Sequence, residues 1–217
     1  MLERYIEASK STGCSWSDYL ELYRYVRAYR PKEILECGTG VSTIVLAYAL
    51  EENEKEGSPR GRITSMEELS EYFELAKRLF PKEYAHFVDF RLSPAVEDKY
   101  LFFAGMRYKD IPERAYDFVF VDGPDYMPHP PVQLFDLDYL YVLERSDIPV
   151  GAMVDTRTSS CFVFHTVLGD RFRYNYVKKI GYVLPSTKKD LRNTLRVVSS
   201  AMAKHAFKRT SFISYFR

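Results

Sequence analysis

The chain has 217 residues, 46% of them apolar, and a net charge of +1, which suits one domain with a substantial core. No stretch is long and apolar enough to span a bilayer, and the start Met1-Leu2-Glu3-Arg4 lacks a signal-peptide h-region. Three widely spaced cysteines, Cys14, Cys37 and Cys161, form no zinc spacing, which predicts reduced thiols and a cytoplasmic setting. Charge is unevenly distributed. Residues 171–217 carry twelve Lys/Arg against one acid, Asp190, a net of +11, so the first 170 residues hold 19 basic and 29 acidic side chains, a net of −10. That polarity suits an anionic partner, or two solvated faces of opposite sign.

In chain order, residues 1–30 read as a helical cap, with Tyr19, Leu22, Tyr23 and Val26 at helical spacing, Ser15 or Ser17 as cap and Pro31 as stop. Such a cap also offers a substrate lid or a homo-oligomer face. Ile34–Cys37 is a short buried strand, followed by Gly38, Gly40 and a helix that opens at Ser42, a sensible N-cap. Glu51–Arg62, charged and carrying Gly57, Pro59 and Gly61, reads as a loop. Arg62–Met66 is a second strand, ending in Glu67-Glu68, and Leu69–Phe80 an amphipathic helix stopped by Pro81. His86–Leu92 is a third strand leading into Ser93-Pro94. Residues 97–115 read as a loop with a short helix. Tyr116–Val121 is the clearest buried strand and runs into Asp122-Gly-Pro. Val132–Leu143 reads as helix, Val150–Val154 as a fifth strand ending in Asp155, and Thr158–Leu168 as helix. Phe172–Val177 and Tyr182–Leu184 predict antiparallel strands that finish the sheet.

Strands alternate with helices over residues 33–168, which predicts an α/β, Rossmann-like, doubly wound and mostly parallel sheet with helices on both faces. The layout is one domain: cap 1–30, core 31–184, basic extension 185–217. Ligands of such sheets bind at the carboxyl ends of the strands. Glu36, Glu67, Ser93, Asp122 and Asp155 all follow strand ends, so the topology gathers five polar residues into one crevice.

The stretch Glu36-Cys-Gly38-Thr-Gly40-Val-Ser42 is a strand, a glycine turn and a helix start, a design that brings backbone N–H groups close to a ligand. Two glycines also serve tight turns for geometry alone. The third glycine of the dinucleotide fingerprint is missing, since Thr43 stands there. Glu36 precedes the turn, where a carboxylate repels a pyrophosphate but accepts hydrogen bonds from an ammonium group.

This stretch resembles motif I of the class I S-adenosylmethionine-dependent methyltransferases, and Tyr116-Asp-Phe-Val-Phe-Val-Asp122-Gly resembles the fourth-strand motif of small-molecule O-methyltransferases. The resemblance covers residues 31–168. It implies that Glu36, Gly38, Gly40 and Ser42 lie at the amino-acid end of S-adenosylmethionine, Glu67 at the ribose and Ser93 at the adenine, with Asp122 beside the cofactor and at the active site. Ser93-Pro94 equally serves as a plain turn, and Glu68 is the neighbour of Glu67 most easily confused with it. Metal-dependent members hold a divalent metal with carboxylates after the fourth and fifth strands, positions that Asp122 and Asp155 match. Here Asp155-Thr156-Arg157 replaces the acid–amide pair, and Arg157 opposes a cation, so a metal is not favoured.

Without a metal, Asp122, Asp155 or His129 is the candidate base or orienting group for an acceptor hydroxyl. Arg157 either binds an acidic substrate group or pairs with Asp155. The expected activity is methyl transfer from S-adenosylmethionine to a small molecule, at oxygen. Two other readings remain open: an NAD(P)-dependent oxidoreductase, and a cofactor-binding protein without transferase activity whose basic end contacts a membrane or another anionic surface. Nucleic acid ranks last, because no RNA-binding motif accompanies the basic residues.

Overall fold

The computed structural model describes Ile6 and residues 16–101, 103–128 and 133–191. Its elements are α1 (Trp16–Tyr29), β1 (Glu33–Cys37), α2 (Val41–Lys55), β2 (Arg62–Glu67), α3 (Ser70–Leu79), a 3-10 turn (Lys82–Phe87), β3 (Val88–Leu92), β4 (Ala95–Tyr100) and β5 (Phe103–Tyr108). There follow β6 (Phe118–Val121), β7 (Phe135–Asp136), α4 (Asp138–Arg145), β8 (Val150–Val154), α5 (Thr158–Leu168), a 3-10 turn (Gly169–Arg171), β9 (Phe172–Asn175) and β10 (Ile180–Ser186).

The central sheet has seven strands in the order β3-β2-β1-β6-β8-β10-β9. β1, β2, β3, β6 and β8 pair in parallel, and β10 runs antiparallel to both β8 and β9. Both faces are covered, so β6 and β8 carry no polar side chain at any position rather than alternating. Along β6, Val119 and Val121 join Leu140 and Phe164 on one face, while Phe118 and Phe120 join Leu22, Val26 and Ile44 on the other. The mostly parallel sheet with helices on both faces is therefore as the sequence predicts. α1 packs across α2, where the buried Asn53 donates to Val26 O at 3.0 Å and accepts from Arg27 at 2.6 Å.

Several elements differ from the sequence-based expectation. The segment after β3 is not a loop with a short helix: β4 and β5 form an antiparallel hairpin, joined by β7 into a second, three-stranded sheet. Its first strand carries Glu97, Asp98 and Lys99, and Asp98 accepts from Arg107 on β5 at 2.6 Å, so cross-strand charge pairing stands where an apolar pattern would be sought. α2 continues through Glu51–Lys55, stabilised on its solvated side by a Glu51–Lys55 pair at 2.8 Å. The third strand begins only at Val88, because Lys82–Phe87 winds into the 3-10 turn. The expected helix 132–143 is shorter, since Phe135–Asp136 is extended and pairs with β5.

The basic end of the chain does not form one patch among the described residues. β10 reverses direction, so the β9–β10 turn lies at the carboxyl edge of the sheet while the chain after Ser186 returns to the amino edge. Lys178 at the first edge pairs with Glu21 of α1 at 2.7 Å. At the second, Arg171 pairs with Asp190 at 3.1 Å and Lys188 with Asp147 at 2.6 Å. Residues 192–217 lie outside the described residues.

Candidate cofactor and acceptor site

Strand order reverses between β1 and β6, which places a crevice outside their carboxyl ends. The turn after β1 is fixed on both sides: Gly38 N–H donates to Met66 O at 3.1 Å, and Asp122 N–H donates to Cys37 O at 3.0 Å. Gly38 has φ 97°, and a Cβ there would stand 3.0 Å from the carbonyl oxygen of Asp122. A Cβ on Gly123 would stand 2.7 Å from the Tyr108 hydroxyl and 2.9 Å from Gly38 N. These two loops therefore touch backbone to backbone. Gly40 is different, because a Cβ there would meet no atom within 4 Å. The space beside it is open.

Glu36 is wholly buried at the end of this arrangement. Its Oε2 accepts from the Thr43 hydroxyl at 2.7 Å and the Ser65 hydroxyl at 2.6 Å, while Oε1 has no partner. Burial pushes its pKa from the ordinary 4.5 up to about 7, against the pull of the hydroxyls of Ser65, Ser42 and Thr43. Between those two pH values the folded chain holds a proton that the unfolded chain has released. Stability from this group is thus full below about pH 4.5 and declines as pH rises to about 7. The melting temperature of the ligand-free protein should fall over that range, and Glu36→Gln should flatten the fall; an unchanged slope in the variant would assign the titration elsewhere.

Ser42 is not the N-cap. Gly40 occupies that position and α2 starts at Val41. The cap hydrogen bond comes from Thr43, whose hydroxyl accepts from Gly40 N–H at 3.0 Å, which leaves Ser42 buried within the first turn and bearing on Glu36.

Glu67 and Glu68 separate cleanly. Glu67 is 7% exposed, and its Oε1 accepts from the N–H groups of Glu68 at 2.9 Å and Leu69 at 3.0 Å. Burial raises its pKa, while these amides and that of Thr39 in the glycine turn lower it. Glu68 instead reaches the loop after β6 and accepts from Asp125 N–H at 2.8 Å. The hydroxyl of Ser93 accepts from Asp110 N–H at 2.9 Å, so this residue ties the end of β3 to the turn after β5.

Arg157 ties the loop after β6 to β7 on the other side of the crevice. One guanidinium nitrogen donates to Pro124 O at 2.7 Å and Asp136 Oδ1 at 2.8 Å, and another donates to Asp122 O and lies 3.9 Å from the Asp122 carboxylate. Its pKa stays above the usual arginine value: burial works against the charge, and the carboxylates of Asp136 and Asp122 outweigh it. The expected pairing with Asp155 is thus replaced by one with Asp136, a residue the sequence did not single out. Asp155 is 7% exposed; its Oδ1 has no partner, and Thr156 Oγ1 stands 3.4 Å from Oδ2. Burial, and then the charge of Asp18 on α1, raise its pKa. Cys37 and Cys161 are free and buried, and burial pushes both thiols up. Among the described residues no three His, Cys, Asp or Glu side chains are placed to hold a metal ion. His129 lies outside the described residues.

Sequence reasoning also passed over Thr43, Ser65 and Tyr108. Thr43 carried a usable signal, three residues past Gly40 as in a capping box. Ser65 lies two residues before Glu67 and so on the same face of its strand.

No family model matches the chain, and no curated protein matches it. Solved structures do. A methyltransferase from Geobacter sulfurreducens superposes with TM-score 0.52 at 16% identity, over 84% of this chain and 87% of that one. An O-methyltransferase from Bacillus cereus in complex with S-adenosylhomocysteine (SAH) gives 0.50 at 17% identity, over 91% and 77%. A methyltransferase-like protein from Silicibacter pomeroyi gives 0.50 at 16%, over 86% and 95%. The chain therefore has the fold of the class I S-adenosylmethionine-dependent methyltransferases.

Proposed function

We propose that the protein transfers a methyl group from S-adenosylmethionine to the hydroxyl of a small acceptor. The observation that carries this reading is the open space beside Gly40 next to the unpartnered, buried Oε1 of Glu36. A buried carboxylate oxygen without a donor is costly unless a ligand supplies one, and the ammonium of the cofactor's amino-acid end is such a donor. The adjoining carboxylate would lie against the Gly38–Gly40 turn at the start of α2, whose first-turn N–H groups face it. Ser42 would support Glu36 from behind, and the second oxygen of Glu67 would accept from the ribose hydroxyls. Ser93 would border the adenine.

When bound, the cofactor supplies a methyl group made electrophilic by its sulfonium. The chain's task is to hold the acceptor in line and to take its proton. Asp122, at the end of β6 with its side chain 21% exposed, would accept that proton. His129 is the alternative base. Arg157 would position Asp122 by gripping its carbonyl and that of Pro124.

A dinucleotide oxidoreductase fits less well. That class runs its strands 3-2-1-4-5-6, whereas here the antiparallel β10 is inserted between β8 and β9.

Calorimetry with SAH tests the reading. Wild type should bind, and Glu67→Ala should weaken binding by roughly 30- to 150-fold, the value of two hydrogen bonds to a carboxylate. Glu67→Gln can still accept from Glu68 and Leu69 N–H, so a comparable loss there would locate the effect at the ribose rather than at the start of α3. A folded wild type that does not bind SAH would end the proposal.

A further inference from the structure

The acceptor side of the crevice holds a buried carboxylate, that of Asp155, with one oxygen that no hydrogen-bond donor reaches. Asp155 follows β8 directly, and β8 pairs with β6 through Val121↔Val154, so Asp155 and Asp122 are neighbours at the carboxyl edge. Asp155 is buried, and its Oδ1 lacks a partner. Asp18, buried in the first turn of α1, adds a second negative charge near it. The charge of Arg157 bears on Asp155, but its hydrogen bonds go to Asp136 and two carbonyls, and Lys178 pairs with Glu21. Leaving a carboxylate buried in this way is unfavourable unless a ligand brings the opposite charge.

We propose that the acceptor carries a protonated amine, held by Asp155 Oδ1 in the field of Asp18, in addition to the hydroxyl that receives the methyl group. The substrate class is then a small hydroxylated organic cation. An ammonium matches the donor set, with hydrogens for Asp155 Oδ1 and a single positive charge beside two carboxylates. This inference rests on the methyltransferase reading for the fate of the hydroxyl, while the cation site itself stands on Asp155.

The test compares two probes that share a phenol ring and differ in charge, tyramine and 4-ethylphenol, titrated calorimetrically into the full-length protein with and without saturating SAH. Tyramine should bind about 10- to 100-fold tighter, the range of one charge-assisted hydrogen bond in a buried site. Asp155→Asn, which keeps the shape and removes the buried charge, should abolish the preference while leaving SAH affinity unchanged and the melting temperature of the ligand-free protein no lower than that of wild type. Equal affinities in wild type, or no binding of either probe, overturn the proposal without any variant. A preference that persists in Asp155→Asn overturns the assignment to Asp155. Binding of Mg²⁺ alone that Asp155→Asn removes would overturn it in favour of a metal cation. SAH is titrated first and separately, so failure of the cofactor reading and failure of the amine site are distinct results.

Discussion

Arg157→Met should lower stability by about 3–5 kcal/mol, the cost of leaving a buried ion-pair partner without its counter-charge. Asp136 is completely buried and would keep only its own backbone N–H and Ser160, whose hydroxyl donates to Oδ2 at 2.5 Å. Methionine fills much of the arginine stem, so lost charge and lost hydrogen bonds dominate over lost volume. The carbonyls of Asp122 and Pro124 also lose their donor, so the loop after β6 loosens and SAH binding should weaken with stability. Asp136 without the cation prefers its proton, which makes the variant most stable at acid pH and progressively less so as pH rises through the raised pKa. Arg157→Met combined with Asp136→Asn should recover part of the loss, because a neutral amide can still accept from Ser160. Urea denaturation of the single and double variants measures this directly. A single variant within about 0.5 kcal/mol of wild type would mean that the pair holds nothing together.

The parts of this fold that were legible in the sequence are those where one physical term dominates. Val150–Val154 has the predicted bounds because burial on both faces of the sheet writes an unbroken apolar run, and Thr158–Leu168 because Cys161, Phe164, Val167 and Leu168 recur at helical spacing. The strand ends at Glu67, Asp122 and Asp155 were legible because each run stops at a carboxylate, whereas Glu36 lies inside β1, one residue before its end at Cys37. The β4–β5 hairpin was not, since its charges serve cross-strand pairing, and the two-residue β7 is too short for any period. The same limit hid Asp136. Its role depends on Arg157, twenty-one positions away and brought near only by the sheet. Glu36 was legible as a residue at the right place, but not as a carboxylate sealed between Thr43 and Ser65, because hydroxyl partners leave no apolar pattern.

The glycine turn gives the second large effect, and its two glycines should separate stability from binding. Gly38→Ala places a Cβ 3.0 Å from the Asp122 carbonyl oxygen at φ 97°, a region that L side chains rarely adopt. Strain and overlap together should destabilise the fold by about 2–5 kcal/mol, because the obstacle is backbone held by the hydrogen bond between Asp122 N–H and Cys37 O. Gly40→Ala meets no atom within 4 Å, and its φ of 166° is extended backbone. Its melting temperature should therefore stay within a few degrees of wild type, about what a change under 0.5 kcal/mol produces. The added methyl would nevertheless stand in the space assigned to the amino-acid end of the cofactor, and SAH affinity should drop by roughly 10-fold or more. Thermal melts and SAH titrations on the same two samples decide the matter. If Gly40→Ala binds SAH as wild type does, the open space beside α2 is not the cofactor cradle. If Gly38→Ala is as stable as wild type, the β1 and β6 loops are not locked against each other, and the crevice has a softer floor than its hydrogen bonds imply.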